Sequence, residues 1–459
     1  MPTFFSQKLQ QNQVNLKAIF VWAAVSALFY FFVGYVVERH RFVLLFGSYS
    51  LLFLGYVYIV KLFIEDALSS NNNVIFILIG AGISFRALLL FYEPNLSDDY
   101  YRFYWDGLLN IQNISPYAYK PIDIIFSDLA TRFGLSYELY ENLNSKNYYS
   151  VYPAFLQWMF SWAAGIAGFN NLALFVVLLK VSILFFEIGT ITLLLAILKH
   201  LNLPTQNILW YALNPLVIIE LTGNLHFEAF MIFFVLLGFY LIYYFKHWLG
   251  SAIAISLAFC SKLIPLIFLP FLIKRIGFKQ SIYYGFVLMF ISLVLFFKFI
   301  DPIIIPNIFE SVGLYYNKFE FNGSIYYLLR WLGYQYVGWN MIAIIGKLTA
   351  VATFLTILFF AFFEKKVNLQ ALIQSSMLAL TVYLLLANIV HPWYVTPLIA
   401  FAVIAQPKYA IIWGWLVMLS YYAYSNDAYT ESMLLITIEY LTVFAAIAWE
   451  WKHGVLRLD

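Results

Sequence analysis

Ser97-Asp98-Asp99-Tyr100-Tyr101-Arg102 opens the densest run of chemically capable side chains in this chain, and Asp106 closes it. Adjacent carboxylates with an arginine close by can take a proton from a hydroxyl and keep the base charged and aimed. On a helix, Asp99, Arg102 and Asp106 fall at i, i+3 and i+7, on one face. Ser97 is the natural N-cap there, and early aspartates suit the positive end of a helix. The plainer reading is a capped helix start with a salt bridge. Two neighbouring ionised aspartates repel when buried, so one is expected in water or against a cation.

Lys262 lies within Leu257-Ala258-Phe259-Cys260-Ser261-Lys262-Leu263-Ile264-Pro265, apolar on both sides. The nearest span end is about ten residues away, roughly 15 Å at helical rise, which is far for snorkelling. An ammonium stranded there calls for an anion, and a lipid phosphate is a natural one. Asn214-Pro215 breaks another apolar stretch that runs into Glu220, Asn224, His226 and Glu228. His226 and Glu228 are two apart, too close for a helical metal pair. They are either interfacial helix-end groups or functional ones, since charge at membrane depth is costly. His391-Pro392-Trp393-Tyr394 reads as an aromatic-belt turn or as a hydrogen-bond donor to a phosphate or hydroxyl. Tyr315-Tyr316, Glu320, Asn322-Gly323-Ser324 and Tyr326 could line a sugar site or form a wet cap.

What must hold these groups follows from composition. Of 459 residues, 63% are hydrophobic and 11% charged, against about 25% charged in soluble domains. A soluble core of that size lacks polar cover, so its solvent is lipid. Nucleic acid is not an expected partner. The single cysteine, Cys260, leaves no intramolecular disulfide and no thiolate cluster. The first apolar run, 18–37, is too long for a signal h-region and is read as a span.

The expected fold is all-α: one polytopic transmembrane bundle over 1–459. Spans are predicted near 18–37, 42–63, 74–92, 171–198, 207–222, 227–245, 282–300, 341–363, 370–387, 393–406, 409–424 and 432–450, about twelve in all. Stretches 152–169 and 251–273 fit poorly as crossings and are expected to be re-entrant or interfacial, the second broken at Lys262 and Pro265. The positive-inside rule then places Lys199, Lys246, Lys274, Arg275, Lys365 and Lys366 in the cytoplasm. The exception is Glu38-Arg39-His40-Arg41, which falls outside. Outside too lie 93–151 and 301–340. Segment 93–150 holds eight Asp/Glu against four Lys/Arg.

The ordered stretches SDDYYRFYWDGLLNIQNISPYAYKP (97–121), YALNPLVIIELTGNLHFEAF (211–230), LAFCSKLIPLIFLP (257–270) and ANIVHPWYVTP (387–397) resemble the GT-C class of integral membrane glycosyltransferases. They are most similar to the bacterial polyprenyl-phosphate-mannose-dependent mannosyltransferases, relatives of the catalytic subunit of the eukaryotic glycosylphosphatidylinositol mannosyltransferase. The resemblance implies a GT-C-like bundle in the bacterial inner membrane with its site facing the periplasm. It implies a hexosyl transfer, with mannose the expected sugar, from a polyprenyl-phosphate donor to a lipid-linked or cell-surface glycan. The reaction would invert a β-linked donor to an α-linked product, with no cofactor and no metal. Asp99 would be the base, with Asp98 the other candidate and Arg102 orienting Asp99. Lys262 and His391 would bind the donor phosphate. His226, Glu228, Tyr394, Asn322 and Asp106 would line the substrate side. A lipid flippase or transporter, using Lys180, Glu187, Glu220 and Glu439 as a pathway, is the competing class. A polysaccharide ligase or polymerase is the second enzyme alternative, although outside arginines are few.

Overall fold

In a computed structural model of the chain, residues 4–65, 72–299, 304–426 and 428–456 are described. The side chains of Tyr315 and Tyr316 lie outside this description. Among the described residues the architecture is all-helical, and its one β-bridge joins Phe321 to Ile389. Seven helices are long and apolar enough to cross a membrane: Leu16–Tyr35, Phe42–Phe63, Leu172–His200, Phe278–Phe299, Ile342–Phe363, Leu369–Leu386 and Met433–Lys452. An eighth span is made if the bent pair Pro215–Gly223 and Glu228–Tyr244 counts as one. Three shorter apolar helices, Asn73–Leu88, Trp248–Ser261 and Pro392–Ala405, accompany them. Large apolar side chains such as Phe286, Phe290, Phe354 and Phe362 are exposed on the outer faces, as expected where lipid is the solvent.

Two departures from regular helix position the polar groups. Asn214, before Pro215, is extended (φ −66°, ψ 122°), the conformation that a following proline favours. Its side-chain oxygen accepts from Leu216 N and Val217 N, restarting the helix. The chain then runs through a π-helical turn, Ile218–Gly223, and bends by 111° into Glu228–Tyr244. At the second departure, helix Trp248–Ser261 ends at Lys262, which is extended (φ −153°, ψ 142°). The chain resumes through Ile264–Phe268 and Leu269–Ile276. Arg275 near the end of this excursion donates to Tyr243 Oη at 2.7 Å, just before its start. The two ends of the segment therefore lie close together, with the helix broken between them at Lys262 and Pro265.

The segment 93–151 packs on the bundle through helix Asp99–Ile111, which lies against Ala154–Ala167. Gly107 permits this approach: a Cβ there would stand 2.7 Å from Phe160 O. Arg86, Glu187 and Lys180 are closed against local partners. Arg86 and Glu187, both fully buried, form a two-pronged pair at 2.9 and 3.0 Å. Lys180 Nζ donates to the carbonyls of Leu89 and Tyr92 at the end of the third helix, a satisfied use of a buried cation.

Candidate active site

The cap of helix Asp99–Ile111 stands one residue beyond the expected Ser97. Asp98 holds the cap position, and Ser97 Oγ accepts from Asp99 N at 3.4 Å. The two adjacent aspartates part company. Asp98 Oδ2 lies 2.6 Å from Arg39 Nη2, while Asp99 Oδ1 accepts from Asn144 Nδ2 at 2.7 Å. Asp99 is half-buried at the loop surface.

Arg102 does not meet Asp99. Its Nε donates to Asp106 Oδ1 at 2.8 Å, and its Nη1 to the carbonyl oxygens of Ser145 and Tyr148. The i, i+4 spacing and the burial of both partners favour this pair over the half-exposed aspartate one turn earlier. Asp106 also accepts from Ser150 Oγ and Gln157 Nε2. Arg102 and Asp106 thus tie the helix to the return strand of the loop. Replacing Arg102 with Leu would leave Asp106 buried without its cation. We expect a loss of about 3–5 kcal/mol, read as a lower unfolding temperature in detergent.

His226 Nδ1 is hydrogen-bonded to Glu220 O at 2.9 Å, and Glu220 Oε2 lies 3.1 Å from the same nitrogen outside hydrogen-bond geometry. Tyr421 Oη donates to Glu220 Oε1 at 2.9 Å. His226 stacks on Trp393 with centroids 3.6 Å apart, Trp393 on His391 at 4.4 Å, and His391 on Phe321 at 4.8 Å. Four rings therefore tie the π-turn, the His391 turn and the second loop into one wall. The Phe321 bridge reinforces it, with Phe321 N donating to Asn388 O and Val390 N to Phe321 O.

Lys262 Nζ lies 2.5 Å from Glu228 Oε1, a contact of charge rather than of directed hydrogen-bond geometry. Glu228 is buried (1% of its side chain exposed) while Lys262 keeps 25%. The ammonium also stands 4.8 Å above the Tyr394 ring. Lys262 and Tyr394 line a cavity of about 470 Å³, otherwise walled by Leu263, Ile267, Phe354 and Leu386 among others, with Asn388 also at its wall. Burial, with His226 and Lys262 nearby, pushes the His391 imidazole down to about 3. His391 is therefore neutral at ordinary pH.

Asn322 lies apart from this exposed surface. It is fully buried, its N–H donates to Glu431 at 2.6 Å, its amide to Glu439 at 3.2 Å, and its carbonyl accepts from Tyr440 Oη. It shapes the second loop from within. Among the described residues, no three His, Cys, Asp or Glu side chains converge as metal ligands.

Residues 22–276, more than half of the chain, match the MptA/B family model, described as alpha-(1->6)-mannopyranosyltransferase, N-terminal domain. The chain belongs to this family. It is an enzyme, a GT-C mannosyltransferase of the bacterial branch. The matched region holds the Asp98-Asp99 loop, the π-turn and Lys262; the His391 turn lies beyond it. No curated protein and no solved structure matches the chain.

Sequence reading of the mannosyltransferase missed Arg39, Asn144 and Gln157. Arg39 had a signal, since its cluster is the one that breaks the positive-inside pattern. Asn144 and Gln157 had none, because only the folded loop brings them to the aspartates.

Proposed function

We propose that this mannosyltransferase takes mannose from a polyprenyl-phosphate donor and delivers it, with inversion, to a lipid-linked or cell-surface glycan. The observation that carries this reading is Lys262 at the wall of a largely apolar cavity. An anionic head beside an apolar tail is the chemistry such a site accommodates. Asp99 takes the proton of the acceptor hydroxyl as that oxygen attacks the anomeric carbon. The bond from that carbon to the donor phosphate breaks, and the phosphate leaves with negative charge beside Lys262. His391, neutral, offers an N–H to the phosphate or a sugar hydroxyl. Tyr394 supports Lys262, and His226 and Glu228 form the substrate side, while Asp106 and Asn322 hold the loops. The reaction needs no cofactor and no metal.

The enzyme's place in this reading is the bacterial inner membrane, with the aspartate loop facing the periplasm. In this reading 74–92, 207–222, 227–245, 393–406 and 409–424 also cross, which with the seven long helices makes twelve. The bound charges disfavour a transporter: Glu187 and Lys180 are closed on fixed partners instead of lining a path.

Proteoliposomes supplied with radiolabelled polyprenyl-phosphate mannose and extracted membrane glycolipids test the proposal. Label moving into the glycolipid is the expected result. Lipid crossing the bilayer with no sugar transferred, from this donor or from a panel of lipid-phosphate sugars, would favour the transporter.

A further inference from the structure

We propose that Arg39, at the tip of the N-terminal hairpin, is a positioning residue of the reaction: it neutralises Asp98, so that Asp99 alone presents a free carboxylate to the acceptor. The inference rests on the reading of Asp99 as base. Helices Leu16–Tyr35 and Phe42–Phe63 form the hairpin, and its turn carries Glu38, Arg39, His40 and Arg41. Of these, Arg39 reaches the aspartate loop, pairing with Asp98 at 2.6 Å and lying 5.3 Å over the Tyr424 ring. Glu38 pairs instead within the turn, 3.2 Å from His40 and 3.5 Å from Arg41, both well exposed.

The turn is fixed to the loop from below. Asn95 Nδ2 donates to the carbonyls of Val37 at 2.5 Å and Val33 at 3.3 Å, at the end of the first helix. One residue on, Leu96 N donates to Asn224 Oδ1 at 3.1 Å, beside the π-turn. Residues 95–96 therefore strap the hairpin to the floor of the site, and Asp98 and Asp99 follow directly. Their two carboxylates leave in different directions, one to a cation and one to a neutral amide. Without the cation, Asp98 would place an uncompensated charge beside the base. A like charge makes a carboxylate hold its proton to higher pH and disfavours its ionised, working form.

The charged and titratable groups around this pair come from three elements. Glu93 and Asp99 share its segment, Glu38, His40 and Arg41 share the hairpin turn, and Tyr424 and Tyr429 face it from the region before the last helix. Among the described residues, Arg39 alone stands at salt-bridge distance from Asp98.

The test is the transfer assay run across pH on wild type, Arg39→Gln, Arg39→Lys, Asp98→Asn and the double variant Arg39→Gln/Asp98→Asn. Arg39→Gln should lower kcat by about 10- to 100-fold, leave KM for the donor nearly unchanged, and move the acid limb of the profile to higher pH. Arg39→Lys should recover part of the rate. The decisive variant is the double one: with Asp98 neutral, Arg39 is no longer needed, so activity should return to that of Asp98→Asn. Arg41→Gln serves as the control that leaves activity unchanged. Wild-type kcat and profile in Arg39→Gln would overturn the proposal. So would a rate loss with an unmoved acid limb that neither Arg39→Lys nor the double variant relieves, the pattern of a merely structural arginine. Failure of the underlying reading looks different, since Asp99→Asn would then keep transferring mannose whatever Arg39 does.

Discussion

Asp99→Asn is expected to reduce mannosyl transfer by about 10²- to 10⁴-fold, the usual contribution of a general base, while the protein folds and inserts normally. The substitution is nearly isosteric and keeps an oxygen to accept from Asn144 Nδ2. What it removes is the ability to take a proton. Asp98→Asn should instead keep most of the activity, because Asp98 is already occupied by Arg39. The proteoliposome assay on both variants, with circular dichroism and unfolding temperature as folding controls, decides between the neighbours. Transfer that survives Asp99→Asn and dies in Asp98→Asn would move the base by one residue and reverse the roles assigned to the pair.

Lys262→Met should lose both activity and stability, for separable reasons. Donor phosphate loses its cation, so transfer should fall by about 10²-fold or more, the scale seen when a preorganised charge stabiliser is deleted. Glu228 is at the same time left buried without its counter-ion. Breaking a buried pair from one side costs about 3–5 kcal/mol, with Lys262's partial exposure placing this case toward the lower end. The double variant Lys262→Met/Glu228→Gln separates the effects. It should regain most of the unfolding temperature, since no orphan charge remains, and none of the transfer. If it regained activity as well, Lys262 would serve only to neutralise Glu228, and the donor phosphate would have to be held elsewhere.

The structure also alters what a charge in an apolar segment signifies here. Lys180 and Glu187 share a helix, yet Glu187 is held by Arg86, Tyr211 and Thr222, and Lys180 caps the end of a neighbouring helix. Both fasten the helices that carry the aspartate loop. Lys262 differs because a quarter of its side chain stays open beside a cavity. Exposure into a cavity, rather than membrane depth alone, separates the functional candidate from the structural ones.

Much of the mannosyltransferase was legible before folding. The scarcity of charge dictated a lipid-solvated helical bundle, because no other surface accommodates 63% hydrophobic residues. The breaks at Asn214-Pro215 and at Lys262 with Pro265 followed from local chemistry, since proline restricts the residue before it and removes a donor. The four ordered stretches gave the family. Side-chain partnership was not legible. Asp99, Arg102 and Asp106 share a helical face by spacing, but which of them pair depends on which are buried. Arg102 went to Asp106 because both enter the interior, while Asp99 stays at the surface with Asn144. Arg39 and Asp98 are 59 positions apart in the sequence, and no periodicity links them. Local propensities and solvent preference act along the chain, so the sequence by itself determined the membrane bundle, its breaks and its polar candidates. Pairing of distant charges depends on through-space distance and on the water that packing excludes, so only the tertiary structure decided which aspartate meets a cation and which meets a neutral amide.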